Sequence, residues 1–240
     1  MTSLAERFAP VDGYHALVPI RRGRQAEAER NDRLVLTAAR AVVARYGPDA
    51  SVAAIAELAG VGIGSLYRRY GSKADLLRQL CTLAMQDTIR AAQTALAEAD
   101  PWTGLAGYIE ECVAQRTGTL GALAGSIETT PEMWAVSRRS RDLLDQLVWR
   151  ARHAGALRPD VTALDIAWLI EALGRSGPAE PSAADEVVRR RLTAIAIDGL
   201  RPGPAGQLPG PVPSARHYER RWQPGGQPVG SKPDSGPAGG

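Results

Sequence analysis

From residue 31 to residue 199 the apolar positions recur at intervals of three and four and never settle into the alternation of a strand, which predicts an all-α chain. The first helix is expected from Asn31 to Tyr46. Asn31 serves as N-cap, Asp32 suits the positive end of the helix dipole, and Gly47-Pro48 stops it. Leu34, Val35, Ala38, Ala41, Val42 and Tyr46 fall on one stripe. Ser51 caps a second, short helix whose Val52, Ile55, Ala56 and Ala59 share a face, and Gly60 closes it in the left-handed conformation. A third short helix, Gly62 to Tyr70, turns Leu66 and Tyr70 inward. Helices this short are unstable alone, so the three must share a core. Ser72 and Asp75 then form a carboxylate version of the capping box, opening a long fourth helix to about Ala99.

Asp100-Pro101, a cap followed by an N1 proline, opens a fifth helix with Leu105, Tyr108, Ile109 and Cys112. A looser stretch rich in Gly, Ala and Thr follows from Thr117 to Gly125. Thr130-Pro131 begins another long helix, ending at Gly155. A helix from Thr162 to Leu173 comes next, and Ser182 with Asp185 caps a last one before Gly199. The ends break the pattern. Residues 1–30, interrupted by Pro10, Gly13, Pro19 and Gly23, read as a flexible leader ending in the basic cluster Arg21, Arg22 and Arg24. Residues 200–240, rich in Gly and Pro, read as a disordered tail holding a small island of Arg216, Tyr218, Arg220, Arg221 and Trp222. The expected division is a leader (1–30), a three-helix head (31–77), a helical second domain (78–199) and the tail (200–240).

Charge sharpens this division. The net charge of +3 is unevenly spread: residues 21–73 carry ten Arg and Lys against five acids, and residues 74–199 carry thirteen against seventeen. Positive charge therefore gathers on the head, where a phosphate backbone would need it. Cys81 and Cys112 lie far apart without metal-ligand spacing, which suits a reduced, intracellular protein. No apolar run approaches the ~20 residues of a membrane span, and the N-terminus lacks the basic-then-apolar order of a secretory signal, so a cytoplasmic protein is expected. His15, His153 and His217 lie in separate regions. With no metal-ligand pair, phosphate loop, dinucleotide fingerprint or nucleophile elbow, neither a catalytic residue nor a metal or cofactor is expected.

The stretch Ser51 to Leu77 has the layout of a helix-turn-helix, whose second helix lies in the major groove of duplex DNA. Ser65, Tyr67, Arg68 and Arg69 are left facing outward, and hydroxyls and guanidiniums there suit phosphate oxygens and guanine edges. The N-terminus of the third helix offers free N–H groups to a phosphate. Lys73 sits in the first turn of the fourth helix, unfavourable for the dipole unless a phosphate is near. The leader's composition serves equally a solubilising tail or an arm whose arginines enter the minor groove. The island in the tail is either incidental or adds nonspecific affinity for DNA.

The run from Ala59 through Gly-Val-Gly-Ile-Gly-Ser-Leu-Tyr-Arg-Arg-Tyr-Gly-Ser-Lys-Ala-Asp-Leu to Leu77 resembles the signature of TetR-family transcriptional regulators, and the resemblance covers about residues 31–78. Carried over by position, it implies that Tyr67 and Lys73 touch phosphates while Ser65, Arg68 and Arg69 face the groove. With the helix caps and the start of the reading helix, the expected DNA-contact set is Ser51, Gly62, Ile63, Gly64, Ser65, Tyr67, Arg68, Arg69 and Lys73. Gly62 stands where the family often has Ser, and Tyr70 replaces the usual Phe. The resemblance further implies a homodimer, paired through residues 162–199. Ile166, Leu169, Ile170 and Leu173 support this, making that helix apolar over much of its girth. It implies an effector pocket too, for which Trp102, Tyr108, Met133, Trp134 and Trp149 are the large side chains available. The expected function is a homodimeric repressor, released from a palindromic operator in double-stranded DNA by a small-molecule effector. The alternative is a helical small-molecule binder or enzyme with a vestigial DNA-binding head, for which the Gly62 departure leaves slight room.

Overall fold

The computed structural model describes residues 18–175, 182–204 and 206–223. Among them the regular elements are all helical. Helix α1 (Val18–Tyr46) leads through a 3₁₀ turn at Gly47–Asp49 to α2 (Val52–Ala59), α3 (Ile63–Tyr70) and the long α4 (Lys73–Ala97). Then come α5 (Pro101–Ala114), a 3₁₀ stretch at Thr117–Leu123, α6 (Pro131–His153), α7 (Ala163–Arg175), α8 (Ala183–Asp198) and the short α9 (Ala215–Arg220). No helix among the described residues is long and apolar enough to cross a membrane.

The starts of these helices follow from local chemistry. Ser51, Asp100 and Thr130 each accept a hydrogen bond from the backbone N–H three residues on, which satisfies one of the orphan donors of the first turn. Pro101 and Pro131 sit where no N–H is needed. Ser182 and Asp185 make a complete reciprocal box at the start of α8. At α4 the box is only half formed. Ser72 Oγ accepts from Asp75 N–H at 3.1 Å, but the Ser72 N–H donates to the Tyr70 carbonyl, so the Asp75 carboxylate takes the Ser72 hydroxyl and Arg78 instead. Those hydrogen bonds, the Ser72 hydroxyl first, hold the Asp75 carboxyl below the ordinary range.

Two expectations about the chain ends are corrected. The first helix does not open at Asn31 but at Val18, thirteen residues earlier, so Arg21, Arg22 and Arg24 fall on helical backbone. Pro19 stands in the first turn, where proline is tolerated, and Gly23 costs only about 1 kcal/mol relative to Ala, which the helix formers that follow it can offset. Residues 1–17 of the expected leader lie outside the described residues. The second correction is that the tail does not leave the fold at residue 200. The Leu208 N–H donates to Asp160 at 2.8 Å, Arg158 donates to the Gly206 carbonyl at 2.9 Å, and Arg221 is buried. Residues 224–240 lie outside the described residues.

Two apolar clusters form the core. The first gathers Val35, Val43, Ile55, Leu66, Leu76 and Leu80 under the three-helix head. The stripe of α1 is partly as expected: Val35, Ala38 and Val42 are buried, but Leu36, Ala39 and Val43 join them while Leu34 and Tyr46 are exposed. The second cluster holds Leu105, Ile109, Leu147, Val161 and Ile166. Helix α4 contributes Leu80 and Cys81 to the first and Ala92 and Ala95 to the second. Leu120, Leu123, Ile127 and Met133 reach from the second half of the chain into the first cluster, so the core of the head continues into the second half. The Thr117–Leu123 stretch, expected to be loose, is buried at Thr119, Leu120 and Leu123. Glycine permits this. A Cβ on Gly118 would stand 2.5 Å from the Cα of Glu171, and one on Gly121 would stand 2.8 Å from the Glu171 carboxyl carbon.

Candidate nucleic-acid interface and effector cavity

The reading unit is α2, its turn, and α3. Gly60 takes φ 66°, ψ 28°, a left-handed residue closing α2, and Val61 N–H returns to the Ala56 carbonyl at 3.0 Å. This turn lets Leu66 drop into the core beneath α3, while Ile63, Ser65, Tyr67, Arg68 and Arg69 remain exposed. Tyr67 is 46% exposed, a large aromatic kept from the core by its place on the helix. Arg68 donates to Ser65 Oγ at 2.9 Å, so hydroxyl and guanidinium present together on one turn.

Two of the expected contacts are otherwise engaged. Arg69 forms an ion pair with Asp32 of α1 at 2.6 Å, and its guanidinium lies over the Tyr70 ring. Tyr70 donates its hydroxyl to the same Asp32 at 3.0 Å, so the hydroxyl absent from the family's Phe locks α3 to α1 instead of meeting solvent. Desolvation of Tyr70, with the Asp32 carboxylate second, pushes its phenol up to about 12. Lys73 is half-buried and donates to the Pro48 carbonyl at 3.0 Å, so the cation at the start of α4 already has a backbone partner. The Asp32 anchor, 37 residues before Arg69, has no signature in the local pattern.

Gly62 is the N-cap of α3, with φ −68°, ψ 132° and no side-chain cap. That conformation is open to any L residue, and an added Cβ would meet only Ser65 Oγ, at 3.8 Å. The position therefore lacks a hydroxyl without needing to lack one. Gly62→Ser should stabilise the chain by a few tenths of a kcal/mol. Urea unfolding should show a raised midpoint with unchanged slope.

Below the head lies a cavity of about 410 Å³. Cys81, Ala84, Tyr108, Leu120, Met133 and Trp134 form part of its wall. Of the five expected pocket residues, Tyr108, Met133 and Trp134 are brought together here, and the Trp134 indole N–H is fixed by Thr129 at 3.1 Å. Trp149 is not: it is 60% exposed and packs on His153 with ring centroids 4.0 Å apart. Trp102 is buried away from the cavity, under the Arg201 guanidinium at 4.3 Å. Helical periodicity puts both on plausible faces, but the face turned to the cavity depends on how α5 and α6 pack. Burial holds the Cys81 and Cys112 thiols up at about 12, protonated and inert.

Residues outside the expected set complete the wall. Glu171 of α7 is buried at 5% side-chain exposure and pairs with Arg221, itself at 4%. The Arg221 guanidinium lies 4.4 Å from the Trp168 ring centroid, and Trp168 meets Tyr218 edge-on at 5.8 Å. Tyr218 and Trp222 line the cavity as well. Part of the basic and aromatic island at 216–222 is thus structural: Arg221 is committed to Glu171 and Tyr218 and Trp222 pack inward, while Arg216 and Arg220 stay exposed. Its density of Arg and aromatic residues was the available signal, but its partner lies 50 positions away.

This arrangement defines a helix-turn-helix protein whose reading head stands on a ligand-sized cavity. The model of bacterial regulatory proteins of the tetR family matches residues 35–80, and that of the C-terminal domain of SbtR-like transcriptional regulators matches 100–202. Together the two matches span more than half of the 240 residues, and the chain belongs to the TetR family of transcriptional regulators. Among solved structures, a TetR transcription regulatory protein from Mycobacterium vanbaalenii is 26% identical, with a TM-score of 0.52 over 75% of this chain and 99% of that one. The TetR-family regulator PfmR from Thermus thermophilus is 22% identical, with a TM-score of 0.50 over 70% and 99%. A bacterial regulatory protein of the same family from Rhodococcus is 19% identical, with a TM-score of 0.51 over 72% and 98%. No curated protein matches the chain.

Proposed function

We propose that this DNA-binding regulator is a homodimeric repressor, released from a palindromic operator when a small molecule occupies the cavity. The observation that carries the reading is a shared wall. Cys81, Ala84, Leu120 and Met133 line the cavity and also belong to the core cluster on which α1, α2 and α3 rest. Close-packed interiors deform by switching between packings, not continuously. A ligand that displaces Met133 or Leu120 therefore biases the seating of the head. Coupling is then the difference in ligand affinity between two arrangements of the reading heads.

The proposed reading face is Ile63, Gly64, Ser65, Tyr67 and Arg68, with Ser51 and Gly62 at the helix starts. Arg69 and Lys73 join it by exchanging Asp32 and the Pro48 carbonyl for phosphate oxygens, a charge-assisted replacement. Tyr108, Met133 and Trp134 form the apolar seat for the effector.

Pairing is proposed through 162–199, with the weight on α8. Ile166 and Ile170 of α7 are buried within the subunit, whereas Val187, Val188, Leu192 and Ile195 of α8 are all exposed. A second copy is the occupant that the two-fold symmetry of a palindrome requires, with half-sites ~34–36 Å apart. Selection of bound sequences from random duplex DNA tests the proposal. The expected product is an inverted repeat. Recovery of no consensus, alongside ligand binding or turnover, would instead support the vestigial-head alternative.

A further inference from the structure

The geometry points to a cation subsite at Glu171, filled by the chain's own Arg221, for which a flat aromatic amidinium competes as effector. This rests on reading the cavity as the effector site. The subsite is built and not incidental. Glu171 is set against Gly121 so closely that no side chain fits there. Arg221 donates from Nη1 to one carboxylate oxygen at 3.0 Å and from Nη2 to the other at 2.7 Å. That is the parallel fork by which a carboxylate reads a planar bis-donor. Trp168 supplies the stacking face at 4.4 Å.

Arg221 is an imperfect occupant. Its Nε–H is buried without an acceptor, and Nη2 reaches the Gly121 carbonyl only at 3.5 Å. An aryl amidinium offers the same two parallel N–H donors and has no third position corresponding to Nε. It would keep the fork and lose the orphan. Its ring would extend into the adjoining cavity beside Ile170 and Leu144. Glu171 also retains Arg175, whose Nη1 stands 3.3 Å from Oε1, so the exchange of one monocation for another leaves the local charge unchanged.

The segment that carries Arg221 is short and held at few points: the Glu171 fork, Trp168 against Tyr218 and His217, and Trp222 against the first core cluster. Helix α9 is six residues long and buries none of them. Its other side-chain ion pair, Arg141 with Glu219 at 2.8 Å, is partly exposed. Between residues 206 and 223 Arg221 alone is fully buried among the described residues, and a segment of that kind opens at less than the global free energy. Arg221 thus behaves as a tethered ligand whose effective concentration, of millimolar order for a flexible link, sets the threshold a free cation must exceed.

The test uses the full chain with 2-naphthamidine, and with 2-naphthoate and 2-naphthamide as anionic and neutral isosteres. Hydrogen exchange over residues 206–223 should rise at least tenfold with saturating naphthamidine and stay unchanged with either isostere. Arg221→Lys, which keeps the charge but loses the fork, should bind naphthamidine about tenfold more tightly than the parent chain. Glu171→Gln, once its fold is verified by circular dichroism, should abolish the effect. Unchanged protection of 206–223 under naphthamidine overturns the proposal, as does an equal response to naphthoate or naphthamide. None of these measurements involves DNA. Their failure leaves the operator reading standing, and failure of DNA selection leaves the cation subsite standing.

Discussion

A chain carrying Leu192→Glu and Ile195→Glu is expected to run as a monomer at micromolar concentration and to lose about 10²–10⁴ in affinity for an inverted repeat. Both residues sit on the exposed apolar face of α8, Leu192 at 44% and Ile195 at 59% exposure, so the substitutions disturb little intrachain packing. In a dimer the same positions would be covered, as part of an interface that for stable pairs buries ~1,600 Å² in all. Two carboxylates per subunit then meet their copies without partners, and a desolvated unpaired charge costs several kcal/mol. The loss on DNA follows from geometry alone. A dimer binds its second half-site as an intramolecular event, and a monomer does not. Affinity for an isolated half-site should stay within about twofold. Sedimentation velocity together with anisotropy titrations on half-site and full-site duplexes checks all three statements.

Arg40→Ala should be the most damaging single change at the joint between head and cavity. Arg40 lies on α1, is 7% exposed, and donates to Asp87 of α4 at 2.9 Å and to the Gln115 carbonyl after α5 at 2.7 Å. One side chain therefore ties the head to two elements of the second half. Its removal leaves a partly buried carbonyl and a mostly buried carboxylate without their donor, although Asp87 keeps Arg90. We expect a loss of about 2–3 kcal/mol, at the low end for breaking a buried pair because of that remaining partner. In a chain of this length it corresponds to a fall in Tm of roughly 5–10 °C. Effector response should weaken as well, since Arg40 carries hydrogen bonds that tie the head to the second half. Differential scanning calorimetry gives the first quantity, and operator affinity with and without naphthamidine gives the second.

Much of the architecture was legible because helix starts are local chemistry. Ser51, Asp100, Thr130 and Ser182 cap the helices they were expected to cap, and the all-α class followed from spacing alone. Helix α3 was legible without a cap, from the left-handed Gly60 that closes α2 and from the inward Leu66. What was not legible depends on partners distant in sequence. Arg69 looks outward on its own helix, yet Asp32 claims it from α1. Trp149 has the composition of a pocket residue but faces solvent. The glycines Gly118 and Gly121 read as a loose stretch until Glu171 is placed against them. The same Glu171 explains why a Gly/Pro-rich tail, which cannot build a core, still folds back: one buried ion pair with aromatic stacking holds what hydrophobic patterning could not announce.

Affinity measured against salt decides whether the α3 face reads duplex DNA. The full chain should bind its selected inverted repeat at least ~10³-fold more tightly than a scrambled duplex at physiological salt. Log affinity should fall linearly with log salt between 50 and 200 mM, roughly by one unit of slope per phosphate neutralised. Arg68→Ala should cost about 1–3 kcal/mol on the repeat and little on the scrambled duplex if it reads a base edge. A slope near zero, or equal affinity for both duplexes with Arg68→Ala indistinguishable from the parent chain, would mean that α3 does not read DNA.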